Sequence, residues 1–466
     1  MPVWLPWAAL LFSWIALSGG YFDVWWHVMG RVETFFTPPH AVIYSSVFSG
    51  GMTVLAYVLV EMAKRGRITP AYVPHIGLLS LAGTGSLFQL LAGVSDGIYH
   101  ELLGFDITLW SPPHLLAIFG GIVAALGLAG LFAGMPEGRG RRLGHGLALA
   151  AALSYFLFAL AEFDLSPGRL LEDDLSMKFR WNPYAAYYAV MVSVVGAFLL
   201  GYGLYQSRSF REPDGSGPDG WLPEGRATAG GGVAVASAAV GIAWLFKAAV
   251  WSAWAMTPAH LFFPLPFVLA AVVFDAVAYA LRRAGWPYAE PTAASAWGLV
   301  TALVVGLLGR RPMEPAGLAA VVMLAVGLAP VASCLGGLYA RKAGEWRRAI
   351  IDMPTAGPWS GVTPTRTGLA AVVGALAAGM AALTAVGALS PAALAHGNEV
   401  RASGAIAPDM HPVWVMAELA AVLGLSLLVA RGLGSVGGRL AGGGSTSASF
   451  QGQAAGPRAR ASTRVR

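Results

Sequence analysis

Residues 111–134 read SPPHLLAIFGGIVAALGLAGLFAG, an uninterrupted apolar run that begins directly after a Pro-Pro pair. About 20 apolar residues are enough for an α-helix to cross the hydrocarbon core of a bilayer. Pro is favoured in the first turn of a helix, behind a Ser or Thr at the N-cap. The stretch therefore predicts a membrane-spanning helix that starts at the Pro-Pro pair and carries His114 at its N-terminus.

The whole chain has the composition of a polytopic membrane protein. Of its 466 residues, 56% are hydrophobic and only 12% are charged, and the mean hydropathy is +0.62. No soluble core absorbs that much apolar sequence. We expect an all-α membrane bundle of about twelve transmembrane helices. The predicted spans are residues 3–22, 40–61, 73–95, 113–134, 143–163, 184–205, 232–255, 258–281, 292–309, 315–340, 368–390 and 411–431.

The basic residues are distributed unevenly between the predicted loops. The even-numbered loops carry most of them, as in the cluster of Lys64, Arg65 and Arg67, whereas the odd-numbered loops carry few. The positive-inside rule then places both termini in the cytoplasm, in a protein of the inner membrane. Arg310 and Arg311 form the one pair that opposes this orientation.

Charge and cysteine content exclude other classes of protein. The formal charge of +6 comes mostly from the loops and a basic tail, so it implies no nucleic-acid partner. Cys334 is the only cysteine, which excludes an intramolecular disulfide and a thiolate-rich metal cluster.

Two membrane halves and a tail are predicted from the distribution of turn-forming residues. The stretch 206–231 is rich in Gly, Pro, Ser and Asp and separates an N-terminal six-helix half, residues 1–206, from a C-terminal six-helix half, residues 232–440. Residues 441–466 form a Gly-, Ser- and Arg-rich segment that we expect to be a disordered basic tail.

Two segments of the N-terminal half share one pattern of ligand-type residues, an Asp, a His four residues later, and a second His behind Pro-Pro. We name them the first Asp/His group, Asp23, His27 and His40, and the second Asp/His group, Asp96, His100 and His114. Residues four apart lie on one face of a helix, so each Asp and its following His can present ligands in one direction. A helix N-terminus disfavours imidazolium and keeps the last His neutral and able to bind metal. The pattern predicts two metal sites of one design, opening on the extracytoplasmic side.

The alternative is that each Pro-Pro-His is only a helix start with its His in the headgroup region. One copy alone is more often of that kind. Because three ligand-type residues recur in the same order, the repetition favours metal binding.

Several other polar residues are secondary candidates. They are Glu33, Asp106, Lys247, His260 and a looser cluster of Asp409, His411 and Glu418. His260 follows a third Thr-Pro-x-His sequence, upstream of which Lys247 and Trp251 occupy the places of the Asp and the His. Lys247 lies mid-span, where a charged residue has either a function or a structural partner. Asp275 is expected to snorkel or to cap a helix.

The first Asp/His group resembles a known copper-binding segment. Asp23-x-x-Trp26-His27, followed by Glu33-Thr34 and Phe36-Thr37-Pro38-x-His40, is similar to the C subunit of particulate methane and ammonia monooxygenases. In that family an Asp, three residues, a His, twelve residues and a His hold copper. A second family site has Asn, three residues, His, thirteen residues and His, and the second Asp/His group has the same gaps with Asp96 in place of the amide.

This resemblance covers about residues 20–120, and the family's C subunit is shorter and has fewer helices. It implies copper in both groups, with Asp23, His27 and His40 as the catalytic site of dioxygen chemistry. It also implies a small apolar substrate and partner subunits.

The donor types alone leave the metal open. Two imidazoles and a carboxylate suit Cu(II), Zn or Fe(II), and the Irving–Williams order favours copper where it is available.

Two functions are compatible with such metal sites. One is a copper-binding membrane component of a monooxygenase-like system that oxidises a small apolar substrate with dioxygen, alone, as a homo-oligomer or with other subunits in the lipid bilayer. The other is a copper transporter or metal-handling protein. A third, a structural subunit whose sites serve folding only, also stays open.

Overall fold

The computed structural model describes residues 1–28, 37–66, 70, 73–103, 109–136, 138–159, 185–208, 235–253, 265–308, 313–345 and 412–442. This part of the chain is helical throughout, with turns between the helices. The helices are α1 (Trp4–Val28), α2 (Pro38–Lys64), α3 (Ile76–Leu103), α4 (Pro112–Ala133), α5 (Arg139–Ala159), α6 (Ala185–Arg208), α7 (Val235–Ala253), α8 (Leu265–Arg283), α9 (Ala289–Leu308), α10 (Pro315–Glu345) and α11 (Pro412–Gly442). Nine of these described helices contain stretches long and apolar enough to cross a membrane. The chain is therefore an integral membrane protein built as a helical bundle.

Every described helix overlaps one of the predicted membrane spans. The predicted span 368–390 lies outside the described residues, so the count of twelve helices and the cytoplasmic termini stay predictions. Several helices continue beyond the predicted membrane spans, among them α1 and α3, which pass residues 22 and 95 and end at Val28 and Leu103, and α11, which passes residue 431 and ends at Gly442. Hydropathy marks only the apolar part of a helix, whereas the backbone here stays helical through polar residues. Asp23 and Asp96 consequently lie inside helices.

The Pro-Pro pairs begin α2 and α4, as predicted. Thr37 and Ser111 are the N-cap residues, with extended backbones at φ −65°, ψ 156° and φ −69°, ψ 149°. The carbonyl of Thr37 accepts the first helical hydrogen bond from Ala41 at 2.9 Å, and that of Ser111 accepts one from Leu115 at 3.0 Å. Neither hydroxyl makes a side-chain capping hydrogen bond. One reason is that the second helical position is a Pro, which has no N–H to donate.

The first four helices form two antiparallel hairpins that pack against each other. Helix α1 packs on α2, α2 on α3 and α3 on α4. Helix α4 is the most enclosed, since 89% of its most apolar stretch is buried, against 28% for α10 and for α11. It contacts α1, α3, α5, α6, α10 and α11. The second hairpin is therefore anchored in the centre of the bundle.

Glycines let the backbones of α3 and α4 touch. A Cβ atom built on Gly127 would lie 2.6 Å from the backbone nitrogen of Ala82, and one on Gly120 would lie 2.7 Å from the carbonyl oxygen of Gly85. Small residues at such crossings are how helices gain close packing in lipid, where no hydrophobic force drives them together. This contact fixes how the helix that carries Asp96 lies against the helix that carries His114.

Helices from the two predicted halves also contact each other. Helix α6 packs on α9 and α10, and α11 packs on α3 and α4. Helix α11 reaches Gly442, and residues 443–466 of the predicted tail lie outside the described residues.

Candidate metal centre

Both Asp/His groups lie where the two hairpins reverse direction. In each hairpin the Asp lies near the C-terminal end of the first helix, and a His lies in the first turn of the second helix. Antiparallel packing therefore brings residues distant in sequence to one end of the pair. The first hairpin joins Asp23 to His40, and the second joins Asp96 to His114.

In the first Asp/His group, one carboxylate oxygen of Asp23 lies 3.5 Å from Nε2 of His40. Both residues are buried, with 6% and 4% of their surfaces exposed. His27 is part of the α1 backbone, but its side chain lies outside the described residues. The structure thus brings together two of the three predicted ligands of this group.

In the second Asp/His group, the structure gathers all three predicted side chains around one oxygen. Oδ1 of Asp96 lies 3.7 Å from Nε2 of His100 and 3.7 Å from Nε2 of His114. The exposed fractions of these side chains are 8%, 11% and 17%. Asp96 and His100 lie four residues apart on α3, so the prediction that they share a helix face is confirmed. His114 reaches the same oxygen from α4.

These separations lie within ion-pair reach and are longer than hydrogen bonds. A nitrogen and an oxygen 3.5–3.7 Å apart exceed the usual hydrogen-bond length. With both atoms about 2.0–2.2 Å from a first-row metal, the same separations correspond to angles of about 105–135° at the ion. Among the described side chains, however, no group of three or more His, Cys, Asp or Glu is placed to hold an ion without rearrangement.

Other predicted candidates lie mostly outside the described residues. They are Glu33, Asp106, His260, Asp409 and His411. Lys247 is described and is 3% exposed, within α7. The residue before it, Phe246, packs against Trp14 and Tyr21 of α1, with ring centroids 4.5 and 6.1 Å apart. Lys247 is therefore buried on a helix that adjoins the first hairpin, and its role stays a prediction.

A buried hydroxyl precedes the His at the start of α2 and again at the start of α4. Thr37 is 4% exposed and Ser111 is fully buried. Neither hydroxyl oxygen has a hydrogen-bond partner within the described part of the chain. Each lies three residues before an imidazole of the Asp/His groups, His40 or His114.

A small polar cavity lies between the two hairpins, deeper in the bundle. Its lining includes Ser13, Ser46, Ser86 and Gln89 among small apolar residues, and its free volume is about 20 Å³. Ser46 follows His40 by six residues, which is about 9 Å along a helix. The volume is enough for one water molecule. This cavity could not be predicted from the sequence, because its four polar residues lie on three different helices and form no recognisable sequence pattern.

A second cavity of about 10 Å³ is lined by apolar side chains only, among them Trp110, Leu115, Phe119 and Leu419. Leu115 directly follows His114, and the indole of Trp110 donates to the carbonyl of Ala159 at 3.0 Å. This volume is at the lower limit for a single water molecule, so the packing beside the second hairpin is nearly complete.

Asp275 is a helix cap. Its carboxylate accepts from the backbone N–H of Ser237 at 2.7 Å, from the Ser237 hydroxyl at 2.6 Å and from the N–H of Ala236 at 3.3 Å. These groups belong to the first turn of α7, whose unsatisfied donors favour a negative charge. Of the two predicted roles of Asp275, snorkelling and capping, the capping role is confirmed: Asp275 lies on α8 and caps the start of α7.

No protein-family model, no curated protein and no solved structure matches this chain. The class of protein therefore comes from its own fold and site. It is an integral membrane protein, helical in the described part of the chain, in which two hairpins each bring a buried Asp near at least one His.

Proposed function

We propose that the chain is a copper-binding membrane component of a monooxygenase-like system that oxidises a small apolar substrate with dioxygen. One observation carries this proposal: a single carboxylate oxygen of Asp96 faces the Nε2 atoms of both His100 and His114 at 3.7 Å. The Asp23 and His40 pair repeats half of this arrangement in the other hairpin. A carboxylate with two imidazoles and no thiolate is a donor set for copper, with iron and zinc as the competing metals.

The residues have distinct tasks in this proposal. Asp23, His27 and His40 hold the reactive metal, and Asp96, His100 and His114 hold the second. A bound copper ion supplies the redox chemistry and leaves positions open for dioxygen. The protein contributes the donor side chains and their burial in the bundle. Partner subunits or further copies of the chain complete the system in the lipid bilayer, with both groups on the extracytoplasmic side of an inner membrane.

A copper transporter is the competing function, and one observation weakens it. Transport needs a further polar position between the groups and the opposite membrane face. Asp275 was the main candidate for that position in the sequence. Its two oxygens are occupied by three donors at the start of α7, so a passing ion would have to displace a helix cap.

The variant Asp23→Ala separates the two functions. We expect membranes that carry it to lose substrate oxidation, while cellular copper content and copper tolerance stay near normal, because a resident cofactor is not cargo. Oxidation of the candidate hydrocarbons or of ammonia is measured with all candidate partner subunits present, and copper uptake is measured in the same cells.

The control is Asp275→Asn, which keeps one carbonyl oxygen for the α7 cap and should leave both readouts unchanged. Copper uptake that depends on Asp23, together with no oxidation in any partner combination, would replace the oxygenase proposal with the transporter.

A further inference from the structure

One aromatic side chain lies between the two Asp/His groups. Tyr44 follows His40 by one helical turn on α2, and the two ring centroids are 5.4 Å apart with an interplanar angle of 33°. The Tyr44 ring also meets α3 at Gly93. A Cβ atom built on Gly93 would lie 2.6 Å from Cε1 of Tyr44, 3.0 Å from Cζ and 3.2 Å from the phenol oxygen.

The contact at Gly93 is close to the second group. Gly93 precedes Asp96 by three residues on α3, and residues three apart lie on the same face of a helix. The Tyr44 ring therefore lies against a predicted ligand of the first group, His40, and against the turn of α3 that carries Asp96 of the second group. Only a residue without a side chain at position 93 leaves room for the ring where it lies.

We infer that Tyr44 is a positioning residue that couples the two Asp/His groups. It holds the imidazole of His40 against rotation and is itself held by the α3 backbone at Gly93. A change on the second hairpin at that point is thereby transmitted to metal binding on the first. This inference rests on the proposed function, because it concerns how the same metal ligands are oriented.

A positioning role for Tyr44 and a simple anchoring role lead to different expected results. Tyr and Trp are common as interfacial anchors of membrane helices. If Tyr44 were only an anchor, a substitution at position 93 would not change copper binding by the first Asp/His group. A group that orients a metal ligand is different, since its loss commonly lowers metal affinity about 10- to 100-fold.

The test uses the full-length chain in the His100→Ala background, in which copper bound with high affinity reports on the first group alone. Gly93→Ala is introduced there, and Cu(II) affinity and the electron paramagnetic resonance spectrum are measured. We expect affinity to fall about 10- to 100-fold and the spectrum to change, although Gly93 belongs to the other hairpin. Tyr44→Ala should have the same effect, Tyr44→Phe should keep wild-type values, and the Gly93→Ala/Tyr44→Ala pair should be no worse than Tyr44→Ala.

The matched control is Gly83→Ala, also on α3, whose new Cβ would meet only a methyl of Val54 at an ordinary 3.8 Å. If Gly93→Ala fails to fold, the inference is tested by comparing the Cu(II) affinity and spectrum of Tyr44→Ala with those of Tyr44→Phe. Unchanged copper affinity and spectrum in Gly93→Ala, or in Tyr44→Ala, would overturn the coupling and leave the copper proposal intact. A wild-type chain that binds no copper would overturn both.

Discussion

The His114→Ala protein is expected to bind about one copper fewer than the wild-type chain, and His100→Ala should lose the same equivalent. Each substitution removes one of the two imidazoles that face Oδ1 of Asp96 at 3.7 Å. Loss of one imidazole from a three-donor set weakens binding severely, because few donors remain to replace it. The effect is measured directly as the number of copper ions per chain, by elemental analysis of the purified protein.

A matched control is available at the other end of the bundle. His75 lies just before α3 in the turn with φ 61°, a backbone conformation that Asn tolerates well. His75→Asn should keep the full copper content. Equal copper in His114→Ala, His100→Ala and wild type would show that the second Asp/His group is not a metal site.

The second large effect is expected on stability, from Gly127→Ala. A Cβ there would lie 2.6 Å from the backbone nitrogen of Ala82 and 2.9 Å from the carbonyl oxygen of Leu78. Neither atom can move without shifting α3, so the two helices have to separate. Overpacking of this kind costs about 1–3 kcal/mol and occasionally more. The thermal unfolding temperature in detergent should fall, and copper bound by the second group should fall with it.

Gly146→Ala is the matched control for this change. Gly146 lies on α5, and a Cβ there would meet nothing within 4 Å. Ala is the better helix former by about 1 kcal/mol, so Gly146→Ala should leave the unfolding temperature unchanged or raise it. An equal response of the two variants would contradict the close α3–α4 contact.

The sequence predicts the helices well, because hydropathy and helix-start signals are local. The run after Pro112 and the repeat of Pro-Pro-His specify both where α2 and α4 begin and which end carries a His. The pair Asp96 and His100 follows from four-residue spacing alone. Within the second group, the position of His114 next to Asp96 depends on how α3 and α4 pack. A short connection between two helices favours antiparallel packing, so this position could also be expected.

Other features depend on which helix faces which, and the local sequence does not contain that information. Tyr44 meets Gly93 because α2 and α3 pack side by side, although 49 positions separate the two residues. Asp275 was predicted to cap, but its partner is the start of α7, the helix before its own. The helix ends at Val28 and Leu103 lie beyond the predicted membrane spans, because helical backbone continues past the apolar stretch that hydropathy detects.

The copper content of the purified full-length chain, compared with that of an Asp23→Ala/Asp96→Ala variant, tests the central claim most directly. Each substitution removes the carboxylate of one group, so the two preparations differ in both proposed sites and in little else. The account predicts about two copper ions per wild-type chain and close to none in the variant, from two three-donor sets. A wild-type chain with no more copper than the variant would contradict it.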